Sequence, residues 1–218
     1  MIEQVEGLIR EGEWPVGSKI PPEPVLAELL GVGRNTVREA VRALAHTGLL
    51  ATRPGDGTYV LASSGLGAAV KRRLQYGTVI EAYEVRASLE RDAARYAAER
   101  RTEGDLARMR DALAVREVAQ TGREEDIDAF VEADLKFHRA VAAAAGNEVL
   151  AELYGQFSDS LRMALHSVIE APLPEAVHRQ VAEHTAIVDA IERGDAEAAE
   201  EAALSHLSAA MDALRDLS

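Results

Sequence analysis

The chain has 218 residues, of which 47% are hydrophobic but only 4% aromatic, and it contains no cysteine. This composition favours closely packed helices over a β-sandwich, and the lack of cysteine excludes disulfide scaffolds, thiolate zinc sites and cysteine nucleophiles. The net charge of −13 argues at first against nucleic-acid binding, because DNA-binding chains usually carry a positive surface.

Nothing in the sequence indicates a membrane or secreted protein. The apolar runs are too short to span a bilayer. The first residues, Met1-Ile2-Glu3-Gln4, lack the basic and apolar regions of a signal peptide. Together with the absence of cysteine, which fits a reducing compartment, these features predict a cytoplasmic protein without a membrane segment.

Helical patterns come first in the chain. Apolar residues at helical spacing predict a first helix that stops at Gly12, a second over about 23–30 and a third over about 34–46. Between the second and the third, Gly31-Val32-Gly33 predicts a tight turn.

A hairpin pattern follows the third helix. Two short apolar segments, 49–53 and 58–61, flank Pro54-Gly55-Asp56-Gly57, a sequence typical of a turn between strands. Helix, helix, short turn, helix and hairpin is the order of elements in a winged helix-turn-helix. We therefore predict three helices plus a β-hairpin wing as a DNA-binding domain at residues 1–62.

The third predicted helix carries residues suited to DNA contact. Arg34, Arg38 and Arg42 recur every four residues and so share one face, while Asn35 and Thr36 lie at the end that enters the major groove in such domains. Arginine suits guanine because its guanidinium can bind O6 and N7 together, and it also binds phosphate. A solvated charged face is the alternative for an isolated arginine stripe, but the preceding turn and the following hairpin favour DNA contact.

Four segments of this region resemble the DNA-binding domain of the GntR family, over nearly all of residues 8–61. They are Gly12-Glu13-Trp14-Pro15-Val16-Gly17-Ser18-Lys19-Ile20-Pro21, Leu26-Ala27-Glu28, Gly31-Val32-Gly33-Arg34-Asn35-Thr36-Val37-Arg38-Glu39-Ala40 and Gly57-Thr58-Tyr59-Val60. The resemblance implies that Arg34 and Arg38 contact bases or nearby phosphates. It also implies that the wing from Arg53 to Gly55 approaches the minor groove.

Two positions depart from the family pattern. Pro24 stands where the family usually has an arginine, which removes one expected DNA contact. Gly33 stands where the family usually has a serine or threonine before the third helix. That change removes a hydroxyl that could bind a phosphate or cap the helix.

After a predicted linker at 63–66, the sequence is almost entirely helical. Periodicity predicts seven further helices, over 66–76, 78–99, 103–120, 124–144, 148–169, 174–193 and 195–216. We therefore predict a mainly α chain whose residues 67–218 form an all-α antiparallel bundle for effector binding, metal binding and dimerisation.

Polar residues lie on the apolar faces of this bundle. Asp134 and His138 lie one turn apart where a core is expected. His184 and His206 lie on the last two helices, and a hairpin that turns at Gly194 brings them level. A hydrogen-bonded core histidine is the alternative for each alone. Together, however, one carboxylate and three histidines form a plausible divalent metal site, with zinc expected and nickel or manganese as alternatives.

Several segments of the helical region resemble the FCD domain, the ligand-binding domain of FadR-like GntR regulators, over about residues 66–214. They include Tyr83-Glu84-Val85-Arg86, Leu89-Glu90, Asp134-Leu135-Lys136-Phe137-His138, Gly146-Asn147, Glu183-His184, Gly194-Asp195 and His206-Leu207. Many FCD domains bind a metal through these aspartate and histidine positions, and this chain fills all four. Members that bind long-chain acyl-CoA lack the full set, so the resemblance implies a different ligand.

Arg86 also lies on an inward-facing stripe, and its role has two interpretations. It could form a buried ion pair with Glu90 or Asp134. Alternatively, as the resemblance implies, it could clamp the carboxylate of an effector that also binds the metal, such as a small organic acid or sugar acid.

The sequence therefore predicts a homodimeric, metabolite-responsive transcription regulator that binds a short inverted repeat in double-stranded DNA. Repression released by the effector is the expected behaviour, with activation as the alternative. A metallohydrolase built on the same Asp134 and histidine cluster is the rival hypothesis, although no catalytic residue can be named. A metal sensor without an organic effector is a third.

The negative net charge does not exclude DNA binding, because the acidic residues are unevenly distributed along the chain. Residues 1–62 carry a net charge of −2 and residues 63–218 carry −11, while 32–53 contain four arginines and a single acidic residue. The acidity therefore belongs mainly to the helical region, and the predicted DNA-contacting surface is basic. We expect marked salt dependence of DNA binding from these local phosphate contacts.

Overall fold

A computed structural model describes residues 1–121, 127–170 and 180–216. The chain divides into two compact units, Met1–Tyr76 and Gly77–Ser218. The first is a helical unit with a two-stranded hairpin, and the elements in the described part of the second are all helices. The mainly α fold predicted from the sequence is therefore confirmed.

The first unit has the element order of a winged helix-turn-helix. Its elements are α1 (Ile2–Arg10), α2 (Glu23–Leu30), α3 (Arg34–Thr47), β1 (Leu50–Arg53), β2 (Gly57–Val60) and α4 (Gly65–Leu74). The strands are antiparallel, with Leu50 opposite Val60 and Arg53 opposite Gly57. The core is built from apolar residues of all these elements, including Val5, Ile9, Leu26, Val37, Val41, Leu44, Leu50, Val60 and Ala68.

The turn between α2 and α3 is sharp because Gly31 adopts a left-handed conformation, with φ of 67°. A residue with a Cβ atom would be strained there. Gly33, the residue before α3, provides no side-chain hydrogen bond to the helix, as its lack of a hydroxyl predicts.

The boundary between the compact units falls beyond the predicted linker at 63–66. Ser64 accepts a hydrogen bond from the backbone nitrogen of Gly67 at 2.9 Å and so starts α4 inside this segment. Ala62 and Ala68, on either side of the segment, both pack in the core of the first unit. The unit consequently extends to Tyr76, and α4 belongs to it.

The described part of the second unit is built from long helices. They are α5 (Val79–Arg100), α6 (Glu103–Thr121), α7 (Ile127–Ala144), α8 (Glu148–Glu170), α9 (Gln180–Arg193) and α10 (Ala196–Asp216). The starts of the predicted helices 124–144 and 174–193 lie outside the described residues. In the described parts of the chain, no helix is both long enough and apolar enough to cross a bilayer.

Helix α5 packs against four other helices of this unit, α7, α8, α9 and α10. Its buried face is rich in alanine, including Ala94, Ala97 and Ala98, and it meets Ala199 and Ala203 of α10 in the same core. Small side chains allow helices to approach closely. This close packing brings polar side chains from α5, α7, α9 and α10 to one interior point.

Candidate functional site

The structure brings the predicted metal-binding residues together in the interior of the second unit. Asp134 and His138 lie on α7, His184 on α9 and His206 on α10, and none is more than 5% exposed. The α9–α10 hairpin turns at Gly194, and the ring centroids of His184 and His206 are 4.2 Å apart. The two histidines therefore meet across the hairpin as the spacing predicts.

Three potential ligand atoms form a small triangle. The Nε2 atoms of His138 and His184 are 3.1 Å apart. Asp134 Oδ1 lies 3.3 Å from His184 Nε2 and 3.8 Å from His138 Nε2. Ligand atoms around one tetrahedral zinc ion, at bond lengths of about 2.0–2.1 Å, are themselves separated by about 3.3 Å. The triangle therefore has the dimensions of part of a coordination sphere.

His206 completes the set and has unsatisfied polar atoms. Both of its ring nitrogens are buried, and neither forms a hydrogen bond within the described parts of the chain. The carboxylate of Glu183 is close by, with its Oε2 3.5 Å from Nδ1 of His206. Buried nitrogens without partners are rare in proteins, and a bound ion would satisfy one of them. The ligand atoms of the three histidines lie within 4.8 Å of one another, so the donor set fits a divalent cation such as zinc.

Two of the histidines, His184 and His206, are held in the neutral state that metal binding requires. Burial lowers the pKa of His184 well below its usual value, and the neighbouring His206 adds to this effect. Burial likewise lowers the pKa of His206 to about 3, with His138 contributing. Both side chains therefore present an unprotonated nitrogen at neutral pH without first losing a proton.

Two buried arginines compensate the charge of Asp134. Arg116 Nε donates to Asp134 Oδ1 at 2.7 Å, and Arg86 Nη2 donates to Oδ2 at 3.0 Å. Burial alone would raise the pKa of Asp134, but the positive charges of Arg116 and Arg86 help to hold it well below its usual range. The sequence predicts that something must compensate this buried carboxylate. Because the arginines already compensate this charge, the main evidence for a metal site is the cluster of buried histidines.

Arg86 forms both of the ion pairs that the sequence leaves open. Besides its bond to Asp134, its Nε donates to Glu90 Oε1 at 2.6 Å. Burial opposes the charge of Arg86, yet the carboxylate of Glu90 helps to raise its pKa well above the usual value. Arg86 is thus a buried bridge between α5 and α7.

Sequence reasoning missed Arg116 and Tyr154. Arg116 is completely buried on α6, and its position on the apolar stripe of Leu106, Met109 and Leu113 is the kind of pattern that identified Arg86. Tyr154 is also completely buried, and its hydroxyl donates to Glu90 Oε1 from α8. No sequence pattern distinguishes Tyr154 from an ordinary aromatic core residue.

The residues predicted to contact DNA lie on the surface of the first unit. Arg34, Asn35 and Thr36 are exposed at the start of α3. The two later arginines of the stripe are exposed but paired, Arg38 with Glu23 of α2 at 3.3 Å and Arg42 with Glu39 at 3.0 Å. Exposed pairs of this kind are weak, so they leave both cations able to exchange partners.

The wing carries Arg53 and Gly55 at its exposed turn. Gly55 has a φ of 77°, and the guanidinium of Arg53 stacks 4.3 Å from the ring centroid of Tyr59. Lys19, a cation that sequence reasoning did not assign, also lies here and pairs with Asp56 at 3.0 Å. Arg53 of the wing and the neighbouring Lys19 therefore place two cations beside the ring of Tyr59.

Two family descriptions match this chain in the same order as its two units. Residues 1–60 match the bacterial regulatory proteins of the gntR family, and residues 81–209 match the FCD domain. A solved structure of a GntR protein from Streptococcus agalactiae is similar over 97% of this chain and 99% of its own, with a TM-score of 0.58 and 28% identity.

Curated relatives are similar over nearly the whole chain. The HTH-type transcriptional regulator LutR of Bacillus subtilis is 36% identical over 95% of this chain and 96% of its own. A proposed regulatory protein of the L-lactate dehydrogenase operon in Escherichia coli K12 is 33% identical over 94% of this chain and 81% of its own. The transcriptional repressor NanR of Enterobacter is 32% identical over 94% and 80%.

These relatives are transcription regulators and not enzymes, which removes the metallohydrolase hypothesis. The helix-turn-helix implies DNA binding, and the FCD domain implies a small-molecule effector. The chain therefore belongs to the GntR family of bacterial transcriptional regulators and carries an FCD domain after its DNA-binding domain.

Proposed function

We propose that this protein is a homodimeric repressor whose FCD domain binds a divalent metal, preferably zinc, together with a small carboxylate effector. The observation that carries the proposal is the buried cluster of Asp134, His138, His184 and His206, in which both nitrogens of His206 lack hydrogen bonds within the described residues. Nickel and manganese remain the alternative ions.

The electrostatics of the cluster favour an anionic effector. Two buried arginines, Arg86 and Arg116, face two buried carboxylates, Glu90 and Asp134. The low pKa values of His184 and His206 keep these two side chains uncharged. The four charged side chains therefore balance, so a divalent cation beside them would add uncompensated positive charge. An effector carboxylate would neutralise part of that charge, and Arg86 is placed to contribute to its binding.

The chemistry of the site points to a small organic acid or a sugar acid. A metal ion supplies a positive centre that holds a carboxylate together with a neighbouring hydroxyl group, which favours hydroxy acids over simple fatty acids. One relative is named for an L-lactate dehydrogenase operon, so 2-hydroxy acids form the first class to test. A sensor of the metal alone would bind the ion equally well but would not respond to any of these acids.

The DNA-binding residues are Arg34, Asn35, Thr36, Arg38 and Arg42 of α3, with Arg53 and Gly55 of the wing. Their exposure and the positive charge of this segment support the assignment. Two such surfaces in a C2 dimer would bind the two halves of a short inverted repeat. A regulator that binds the bacterial chromosome in this way would act in the cytoplasm.

Regulation requires that the effector bind two conformations of the dimer unequally. Effector binding near the metal would change how the helices of the FCD domain pack against one another. That change would alter the spacing of the two winged domains. Operator affinity would then fall, which is the expected behaviour of a repressor released by its effector.

Arg38→Ala tests the DNA-binding surface. We expect it to weaken binding to an operator obtained by selection from genomic DNA by about 1–3 kcal/mol, which is a factor of about 5–150 in Kd, because one base or phosphate contact is lost. Fluorescence anisotropy at fixed salt measures this change. Arg10→Ala, which removes an exposed cation from α1 of the same domain, is the matched control and should change Kd by less than about threefold. Equal affinities for Arg38→Ala and the unaltered protein would contradict the assignment.

A further inference from the structure

Glu90 contacts His138 at Nδ1, the ring nitrogen that does not face His184. Its Oε2 lies 2.9 Å from His138 Nδ1, whereas His138 Nε2 faces His184 Nε2 at 3.1 Å. Since the two ring nitrogens point in different directions, a carboxylate at Nδ1 cannot bind the same ion as Nε2. Glu90 therefore stands behind the predicted ligand and outside the predicted coordination sphere.

The carboxylate of Glu90 is held in place from two other directions. Arg86 Nε donates to its Oε1 at 2.6 Å, and the hydroxyl of Tyr154 donates to the same oxygen. Glu90 is only 3% exposed, and Tyr154 is completely buried. These bonds occupy Oε1 and aim Oε2 at His138. One side chain thus ties α5, α7 and α8 together behind the cluster.

A carboxylate at this position selects one form of the histidine. Glu90 Oε2 is close enough to Nδ1 to accept a hydrogen bond from it, which favours the neutral ring with its hydrogen on Nδ1 and a lone pair on Nε2. Carboxylates that hold metal-binding histidines in this way fix the tautomer, orient the ring and increase its basicity. Without Glu90, His138 could carry its hydrogen on Nε2 instead, and that form cannot bind an ion through Nε2.

We infer that Glu90 is the positioning residue of the metal site, fixing His138 with its hydrogen on Nδ1 so that Nε2 is the ligand atom, and that Tyr154 of α8 holds Glu90 in place. The inference rests on the proposed metal-binding function. It adds two residues to the site, and one of them extends the site to a helix that supplies no predicted ligand.

Zinc affinity, measured in the full-length protein by competition with a chromophoric chelator, tests this inference. Glu90→Gln keeps the shape of the side chain, but its amide can donate a hydrogen bond to Nδ1 and so favour the form of His138 whose hydrogen is on Nε2. We therefore expect zinc affinity to fall by about 10- to 100-fold. Tyr154→Phe removes only the anchoring hydroxyl, and we expect a smaller loss, below about 10-fold. Glu99→Gln makes the same substitution on an exposed part of α5 and should leave zinc affinity within twofold.

The tautomer of His138 provides a readout that a purely structural role would not change. Long-range ¹H–¹⁵N correlation spectra of the metal-free, unaltered protein are expected to show His138 protonated at Nδ1 and bare at Nε2. This measurement stands even if Glu90→Gln fails to fold. His138 protonated at Nε2 in the unaltered protein, or a folded Glu90→Gln protein with unchanged zinc affinity, would overturn the inference. An unaltered protein that binds no zinc would instead overturn the proposed function.

Discussion

Replacing Arg116 by methionine is expected to lower the free energy of unfolding of the metal-free protein by about 3–5 kcal/mol. The guanidinium is completely buried, donates to Asp134 at 2.7 Å and lies 4.8 Å from the ring centroid of Phe130. Removing one partner of a buried pair leaves the other charge poorly compensated, which accounts for a loss of this size. Chemical denaturation in the presence of a chelator measures it.

Arg110→Met is the matched control for this prediction. Arg110 lies on the same helix and pairs with Glu192, but both side chains are about half exposed. Water screens such a pair, so we expect a change below about 1 kcal/mol. If Arg116→Met and Arg110→Met lowered the free energy of unfolding equally, the account of Asp134 as a buried charge held by arginines would be wrong.

His184→Gln is expected to abolish stoichiometric zinc binding. His184 Nε2 lies 3.1 Å from His138 Nε2 and 3.3 Å from Asp134 Oδ1, so its loss removes one corner of the triangle of ligand atoms. Structural zinc sites contribute about 10–16 kcal/mol through all their ligands together, so losing one of four ligands should weaken affinity by at least about 100-fold. Elemental analysis after dialysis against metal-free buffer measures the content, and circular dichroism checks that the variant is folded.

His46→Gln provides the control for histidine content. His46 is exposed near the end of α3 and belongs to the other compact unit, so its replacement should leave one zinc ion per chain. A folded His184→Gln protein that retained one zinc ion per chain would contradict the assignment of this histidine as a ligand.

Much of this architecture follows from local sequence patterns. The hairpin over 49–61 and the turn at Gly31 are specified by glycine and by short apolar segments, both of which act over a few residues. Asp134 and His138 could be paired from sequence because helical spacing alone places them on one face. The meeting of His184 and His206 required only that the two helices turn at Gly194.

Features that depend on packing between distant helices were harder to predict. Arg86 of α5 could be named from sequence only as one possible partner of Asp134, and no local spacing indicated that Arg116 of α6 would also reach it. Tyr154 contacts Glu90, although the two residues are 64 positions apart in the sequence. The extent of the first unit depends on Ala68, a small apolar residue whose place in that core cannot be recognised until the chain is folded.

The most direct test of the proposed function is operator affinity under four conditions: the zinc-loaded and the chelator-treated protein, each with and without a 2-hydroxy acid. We expect the acid to weaken operator binding of the zinc-loaded protein by at least about 10-fold, and to have no effect after chelation, because the metal forms part of the effector site. The central claim is that this regulator responds to a metal-bound carboxylate. It would be contradicted if operator affinity stayed the same in all four conditions for every small hydroxy or sugar acid tested.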